Sequence, residues 1–219
     1  MTERDPEPPT DQSESVAFWE AHYGEKPQVW SGRPNGVLVA EVPDMAPGRA
    51  LDVGCGEGAD AIWLAGKGWR VTAVDVSRTA LERGARAAEE AGVGELIGWQ
   101  WCDLADAFPG GAFDLVSLQY LHSPVELPQD PILGAAAAAV ASRGTVLVVS
   151  HAAFPPWSRH QDDHDDHAFP QPDEIAGSLG LEGDDWEIEI CEIRERSTIA
   201  PSGEPAVISD TVVRARRRS

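Results

Sequence analysis

The stretch Leu51-Asp52-Val53-Gly54-Cys55-Gly56-Glu57-Gly58-Ala59-Asp60 decides how the rest of the chain is read. Arg49-Ala50 leads into it through a short apolar run, and Ala61-Ile62-Trp63-Leu64-Ala65 follows with a helical pattern. The order is strand, glycine-rich turn, helix. Such a turn brings bare backbone N–H groups and a helix N-terminus up to a ligand, and only residues without a Cβ permit that approach. The next run, Trp69-Arg70-Val71-Thr72-Ala73-Val74-Asp75, reads as a second strand that ends in an acid. In nucleotide-binding α/β units an acid about 20 residues beyond the glycines takes the ribose hydroxyls. Glycines alone are a weak signal, and glycines between a strand and a helix with that acid in place are a strong one.

The charge of the turn narrows the ligand. A dinucleotide pyrophosphate is anionic and favours a helix N-terminus without acids nearby. Here Asp52 precedes the turn and Glu57 lies inside it. With these acids, Asp52-Val53-Gly54-Cys55-Gly56-Glu57-Gly58 resembles the first motif of class I S-adenosylmethionine-dependent methyltransferases, whose cofactor carries an ammonium and a sulfonium. Trp101-Cys102-Asp103-Leu104 is similar to the end of that family's third strand, and Ala112-Phe113-Asp114-Leu115-Val116-Ser117-Leu118 to its fourth. The resemblance covers about residues 36 to 217 and is nearest to tellurite-resistance-type small-molecule methyltransferases, through Trp30-Ser31-Gly32-Arg33-Pro34-Asn35.

The resemblance implies a cofactor site. Asp52, Gly54, Cys55 and Gly56 border the methionine part, and Gly58 lets the first helix pack closely. Asp75 holds the ribose hydroxyls and Val76 packs on adenine. Asp103 accepts from the adenine amino group beside the Leu104 backbone, and Leu118 and Gln119 line the sulfonium end. The plain alternative for Asp75 and Asp103 is a turn or helix-cap carboxylate.

From Arg49 onward strands and helices alternate, which predicts a parallel sheet covered on both faces. Strands are expected at 49–53, 70–74, 96–101, 113–118 and 145–149. Helices are expected at 59–67, from a Ser77 cap to Glu90, at 132–141, and from Pro172 with proline in the first turn. Two closing strands, 186–195 and 206–215, have no helix between them and are expected to pair as an antiparallel hairpin. The fold class is therefore α/β: a Rossmann-like, doubly wound, seven-stranded sheet, mostly parallel, with an antiparallel C-terminal hairpin and a short N-terminal helix and lid. Residues 1–13 read as a disordered, acidic and Pro-rich tail. Residues 14–219 read as one methyltransferase domain, with the N-terminal helix and lid at 14–36.

The chain carries 37 acids against 17 bases, a formal net charge of -20. Such a surface repels phosphate backbones and anionic membranes, so nucleic acid and membrane are expected to be absent as partners. Arg214, Arg216, Arg217 and Arg218 run against this trend and read as a frayed basic terminus. Three cysteines without a C-x-x-C fit a reducing compartment. With no leader-like apolar segment, the expectation is a cytoplasmic monomer or homodimer acting on a small-molecule acceptor.

Three regions are candidates for shaping the acceptor site. In the first, Trp30 is a lid residue and Arg33 a clamp for a carboxylate or an anionic acceptor. The alternative is a core plug and a surface charge. In the second, Tyr120-Leu121-His122-Ser123-Pro124, His122 is the first candidate for a general base, against a purely structural histidine. The third is the His- and Asp-rich run from His151 to His167. There His160, His164 and His167 have a spacing that suits a divalent transition metal, against a solvated acidic loop.

Methyl transfer needs chiefly alignment, and a base only where the acceptor must lose a proton. The acceptor is a thiol or chalcogen oxyanion, or an oxygen or nitrogen of a secondary metabolite. A dinucleotide oxidoreductase fits the architecture less well. A metal-sensing or regulatory module without turnover, built on the His/Asp loop, is the remaining alternative.

Overall fold

The computed structural model describes residues 13–158 and 169–219. Its elements, in chain order, are α1 (Glu14–Gly24), α2 (Gly36–Glu41), β1 (Arg49–Val53), α3 (Ala59–Gly66), β2 (Arg70–Asp75), α4 (Arg78–Glu90), β3 (Ile97–Trp101), β4 (Phe113–Gln119), α5 (Gln129–Ala138), β5 (Val140–His151), α6 (Pro172–Ser178), β6 (Trp186–Ile199) and β7 (Pro205–Arg217). Seven strands form one sheet in the order β3-β2-β1-β4-β5-β7-β6. The first five run parallel, and β7 lies antiparallel between β5 and β6. The expected mostly parallel sheet with an antiparallel ending is the observed fold.

Central strands of such a sheet are buried on both faces and read as continuous apolar runs. Leu51, Val53, Val116, Leu118, Val146 and Val148 face α5 and α6. Ala50, Ala73, Leu115, Leu147, Val149 and Val212 face α2, α3 and α4 in a second core. Each helix covers one face because its apolar residues recur on one side, as Ala61, Leu64 and Ala65 do on α3. Among the polar residues buried in this sheet, Asp52, Asp75, Ser117, Gln119, Ser150 and Asp210 lie toward the carboxyl ends of β1, β2, β4 and β5. In an open α/β sheet that is the ligand-binding edge.

The largest boundary shifts from the sequence reading fall around β5, while β6 and β7 run on to Ile199 and Arg217. The alanine-rich helix starts at Gln129 and ends at Ala138, and β5 begins at Val140, paired with Phe113. The pairing with β4 then shifts register through a bulge that contains Arg143 in the left-handed region (φ 65) and Gly144, where a Cβ would lie 2.7 Å from the Phe113 carbonyl oxygen. Alanine periodicity cannot reveal that bulge, which a close backbone approach dictates.

The C-terminal arginines are also not a frayed end. Arg214 pairs with Glu41 at 3.1 Å, Arg217 donates to the Val140 carbonyl at 2.9 Å, and the Arg218 N–H donates to the Asp185 carbonyl at 2.8 Å. They lock β7 and its end onto the neighbouring elements.

Candidate active site

The turn after β1 is made by Gly54 (φ 69), Gly56 (φ 53) and Gly58 (φ 79), all left-handed. Each is also pressed by a neighbour. A Cβ on Gly54 would lie 2.5 Å from Leu121, and one on Gly56 would lie 2.8 Å from the Tyr23 hydroxyl. A Cβ on Gly58 would run into the Trp99 ring. Backbone conformation and close approach thus both demand glycine here.

Asp75, at the end of β2, accepts from the Gly56 N–H at 2.8 Å and the Ser77 N–H at 2.9 Å, one on each oxygen. It is therefore a turn-holding carboxylate, and each of its oxygens still has a lone pair for a hydroxyl donor. Burial pushes its carboxyl up to about 6, against the pull of those backbone N–H groups. Asp52 is buried, and its Oδ2 has no hydrogen-bond partner among the described residues. Burial raises its carboxyl well above the ordinary range, and the nearby Asp60 and Asp75 raise it further. The half-buried Cys55 beside it is held protonated by burial and by the same acids, so its thiol is a poor nucleophile at neutral pH.

The third strand end carries Asp103, buried, which accepts from the Ser13 hydroxyl and from the Ala105 N–H at 3.0 Å. Leu104 packs on the core that faces α5 and α6. The Val76 carbonyl accepts from the Trp101 indole at 2.7 Å. On β4, Leu118 is buried, and Gln119 donates to the Ser117 hydroxyl at 3.1 Å while its Oε1 has no partner among the described residues.

The N-terminal segment closes over these turns. Glu20 on α1 accepts from the Ser77 hydroxyl at 2.7 Å, and Trp19 donates to the Ser123 hydroxyl at 3.3 Å. Glu57 in the glycine turn accepts from the Val29 and Trp30 N–H groups at 3.1 and 3.0 Å and pairs with Arg83 at 2.9 Å. Asn35 grips Asp60 with backbone and side-chain donors, both at 2.7 Å. Trp30 stays 51% exposed, with its indole donating to the Tyr23 hydroxyl at 2.8 Å. It is thus a cover over the turn and not a core plug. Arg33 is exposed and makes no ion pair among the described residues.

Sequence reading missed the roles of Ser13, Tyr23, Glu20 and Arg83, and named Asn35 only within the lid string. Ser13, Glu20 and Arg83 act through partners far along the chain, which one sequence does not display.

His122 lies in the loop after β4 and accepts from the His151 N–H at 3.4 Å, its ring stacked on that of His151. It also borders a cavity of about 720 Å³ between the ends of β4 and β5 and helices α5 and α6. His160, His164 and His167 lie outside the described residues. Among the described residues no cluster of three or more His, Cys, Asp or Glu forms a metal site.

The residues present fit S-adenosylmethionine. A buried carboxylate oxygen without a partner stands beside a glycine cradle, and the acids around it raise one another's affinity for positive charge. A cationic ligand relieves both conditions, and an anionic pyrophosphate would aggravate them.

The comparisons with known proteins agree with this geometry. Residues 50–144 match the family model described as a methyltransferase domain. The chain is 31% identical over 156 residues to the 2-heptyl-1-hydroxyquinolin-4(1H)-one methyltransferase of Mycobacteroides abscessus, covering 64% of this chain and 66% of that protein. The match therefore spans just under two thirds of that relative. Among solved structures, one from work on the conversion of a disulfide bond into a thioacetal group during echinomycin biosynthesis superposes with a TM-score of 0.70 at 25% identity, covering 92% of this chain and 91% of that one. TehB from Haemophilus influenzae superposes with a TM-score of 0.63 at 17% identity, covering 90% of this chain and 66% of that one. TehB gives the tellurite-resistance resemblance a counterpart at the level of the fold. The fold and the glycine-turn site define a nucleotide-cofactor α/β protein. Within that class, residues 50–144 are a methyltransferase domain of the class I S-adenosylmethionine-dependent kind.

Proposed function

We propose that the chain transfers the methyl group of S-adenosylmethionine to an oxygen or nitrogen of a largely apolar small molecule. The cavity of about 720 Å³ at the end of β4 carries this reading. Leu118, Leu121, Leu127, Leu133 and Ile175 line it, with Glu126, Asp130 and Glu174, and no lysine or arginine is among its described lining residues. His122, Ser123, Gln129, Ser150 and Ser178 add hydrogen-bonding groups, and such a mixed apolar and polar chamber suits an organic ligand. A tellurite or selenite oxyanion would leave it largely empty and would meet carboxylates instead of cations. The relative from Mycobacteroides abscessus, named for a hydroxyquinolone, supports the same choice.

In this reading Asp52 faces the ammonium of the cofactor, Gly54, Cys55 and Gly56 border its methionine part, and Asp75 holds the ribose hydroxyls. Asp103 takes the adenine amino group, with Val76 and Leu104 on either side of the ring. Leu118 and Gln119 border the reacting end. S-adenosylmethionine supplies an electrophilic methyl carbon on sulfur, and the chain supplies alignment and exclusion of water. Trp30 and α1 close the cleft. The net charge of -20 keeps nucleic acid and anionic membranes away. No helix of the described residues is long and apolar enough to cross a membrane.

The test is incubation with S-adenosylmethionine and, in separate reactions, 2-heptyl-1-hydroxyquinolin-4(1H)-one, a simple alkyl thiol and tellurite. Mass spectrometry reads S-adenosylhomocysteine and methylated product. Methylation of the quinolone above the other two supports the reading. Methylation of tellurite alone, or of none, overturns it.

A further inference from the structure

Successive side chains of β5 point to opposite faces of the sheet. Val149 belongs to the core under α2 and α3, and Val148 to the core under α5 and α6. Ser150 therefore stands on the face of Val148. On that face Leu118, Leu133 and Ile175 wall the cavity of about 720 Å³, and Ser150 lines it with them. In the parallel register Leu118 lies opposite Val148. Ser150 is one same-face step further on, about 7 Å along the strand, at the carboxyl edge of the sheet. Leu118 borders the reacting end of the cofactor in the reading above, and Ser150 is thus close to that end.

Most polar side chains around the cavity are already engaged. Ser123 accepts from the Trp19 indole and the Val125 N–H, and Gln129 donates to the Leu121 carbonyl. Ser178 donates to Asp130, Glu174 accepts from the Gln171 N–H, and His122 accepts from the His151 N–H. Ser150 differs from all of these. It is only 8% exposed, yet its hydroxyl makes no hydrogen bond among the described residues. Thr211, its neighbour across the β5–β7 pair, commits its own hydroxyl to the Pro170 carbonyl at 2.9 Å. A hydroxyl set in an apolar wall without a partner is costly, and a ligand that supplies the partner removes that cost. The charged lining residues, Glu126, Asp130 and Glu174, are all exposed and so form the rim.

We propose that Ser150 determines acceptor specificity. Its hydroxyl binds the polar group of a neutral or cationic, otherwise apolar acceptor, and the rim carboxylates turn anionic molecules away. The inference rests on the methyltransferase reading above. A serine hydroxyl both donates and accepts, so the group it holds is a carbonyl, a hydroxyl or an N–H. An analogue without that group leaves the hydroxyl buried and unpaired, and is rejected for that reason. Ser150 acts by orienting the acceptor toward the methyl carbon.

The experiment is calorimetry on wild type, Ser150→Ala and Ser150→Thr, each saturated with S-adenosylhomocysteine. Four probes share one heptyl chain. They are 2-heptyl-1-hydroxyquinolin-4(1H)-one, 2-heptylquinoline without the oxygens, the cationic 4-amino-2-heptylquinoline and the anionic 2-heptylquinoline-4-carboxylate. Ser150→Ala should weaken the hydroxyquinolone by about 3–10-fold and leave 2-heptylquinoline within about twofold. Ser150→Thr, which keeps the hydroxyl, should retain the preference of wild type. Loss of a structural role would weaken both ligands alike and lower the affinity for S-adenosylhomocysteine. In wild type the amine should bind at least about tenfold more tightly than the carboxylate, and the gap should shrink at about 1 M salt. Equal changes for the hydroxyquinolone and 2-heptylquinoline in Ser150→Ala overturn the proposal. So does a carboxylate that binds as well as the amine, or a wild type that binds none of the four. If the Ser150-dependent binding appears while no probe is methylated, the functional reading has failed and the binding site stands.

Discussion

The two ends of the sheet's ligand edge are assembled differently. At the cofactor end, Asp75 reaches a Gly56 only 19 residues away, across adjacent strands β1 and β2. The glycine turn, Asp52 and Asp75 sit in one strand–turn–helix–strand unit, and each has a residue type the geometry requires. At the proposed acceptor end, Ser150 joins the Leu118 wall only through the pairing of β4 with β5, and Thr211 stands beside it only because β7 inserts between β5 and β6. The first site is local and so readable from spacing. The second is made by strand register, which one sequence does not display.

The largest effect expected belongs to the local end. Gly58→Val places a β-branched side chain at φ 79 and into the Trp99 ring. Strain and overpacking together should cost about 2–6 kcal/mol. Urea denaturation that returns a wild-type midpoint for this variant would remove the steric account of the turn.

Next in size is a pH effect. The Asp75 carboxyl is raised from its ordinary 3.8 to about 6 in the folded chain. The folded state then holds the proton more tightly than the unfolded one, and stability falls as pH rises through that window, by up to ~3 kcal/mol. Asp52 and Asp60 act in the same direction. The ligand-free protein should therefore be more resistant to urea at pH 5 than at pH 7.5, and S-adenosylhomocysteine should narrow the difference. A ligand-free protein that gains stability over that interval would contradict the charge assignment of the turn.

A smaller effect concerns the lid. Glu20 takes hydrogen bonds from Ser77 and Thr79 at the start of α4. Burial pushes its carboxyl up, but the Thr79 and Ser77 bonds outweigh this and bring it below 4.5. Glu20→Ala should cost about 1 kcal/mol, seen as a lower Tm, with a faster release of S-adenosylhomocysteine in stopped flow. Unchanged release would leave α1 a packing element and no lid. The smallest effect is expected for Trp30→Ala. Half of that ring is solvent-exposed. Its loss should move Tm by only about 1–3 °C while exposing the glycine turn to faster hydrogen exchange.

Much of the fold was legible because parallel strands buried on both faces leave unmistakable apolar runs, as Val146 to Val149 do. The bulged start of β5 was not, since it turns on the close approach of Gly144 to the Phe113 carbonyl. In the site, the residue types at Asp52, Asp75 and Asp103 announced a cofactor turn. The structure adds that Asp75 already holds the turn together, so the binding role proposed for it shares a carboxylate with a structural one. His122 drew attention by following β4 directly, whereas Ser150 carries no signal of its own in the sequence. Only its place on the cavity face of β5 separates it from the other serines.

The central claim is that the acid-rich turn is built for a cationic cofactor and is tense without one. Its most direct test is calorimetric titration of wild type and Asp52→Asn with S-adenosylhomocysteine, with Tm recorded for both. The Asp52 carboxylate has a buried oxygen without a partner among the described residues, and neighbouring acids oppose its charge. Neutralising it should raise Tm, by roughly 2–4 °C per kcal/mol gained, and weaken binding of the ammonium-bearing ligand at least about tenfold. A variant that binds as tightly as wild type, or a wild type that does not bind at all, would contradict the account.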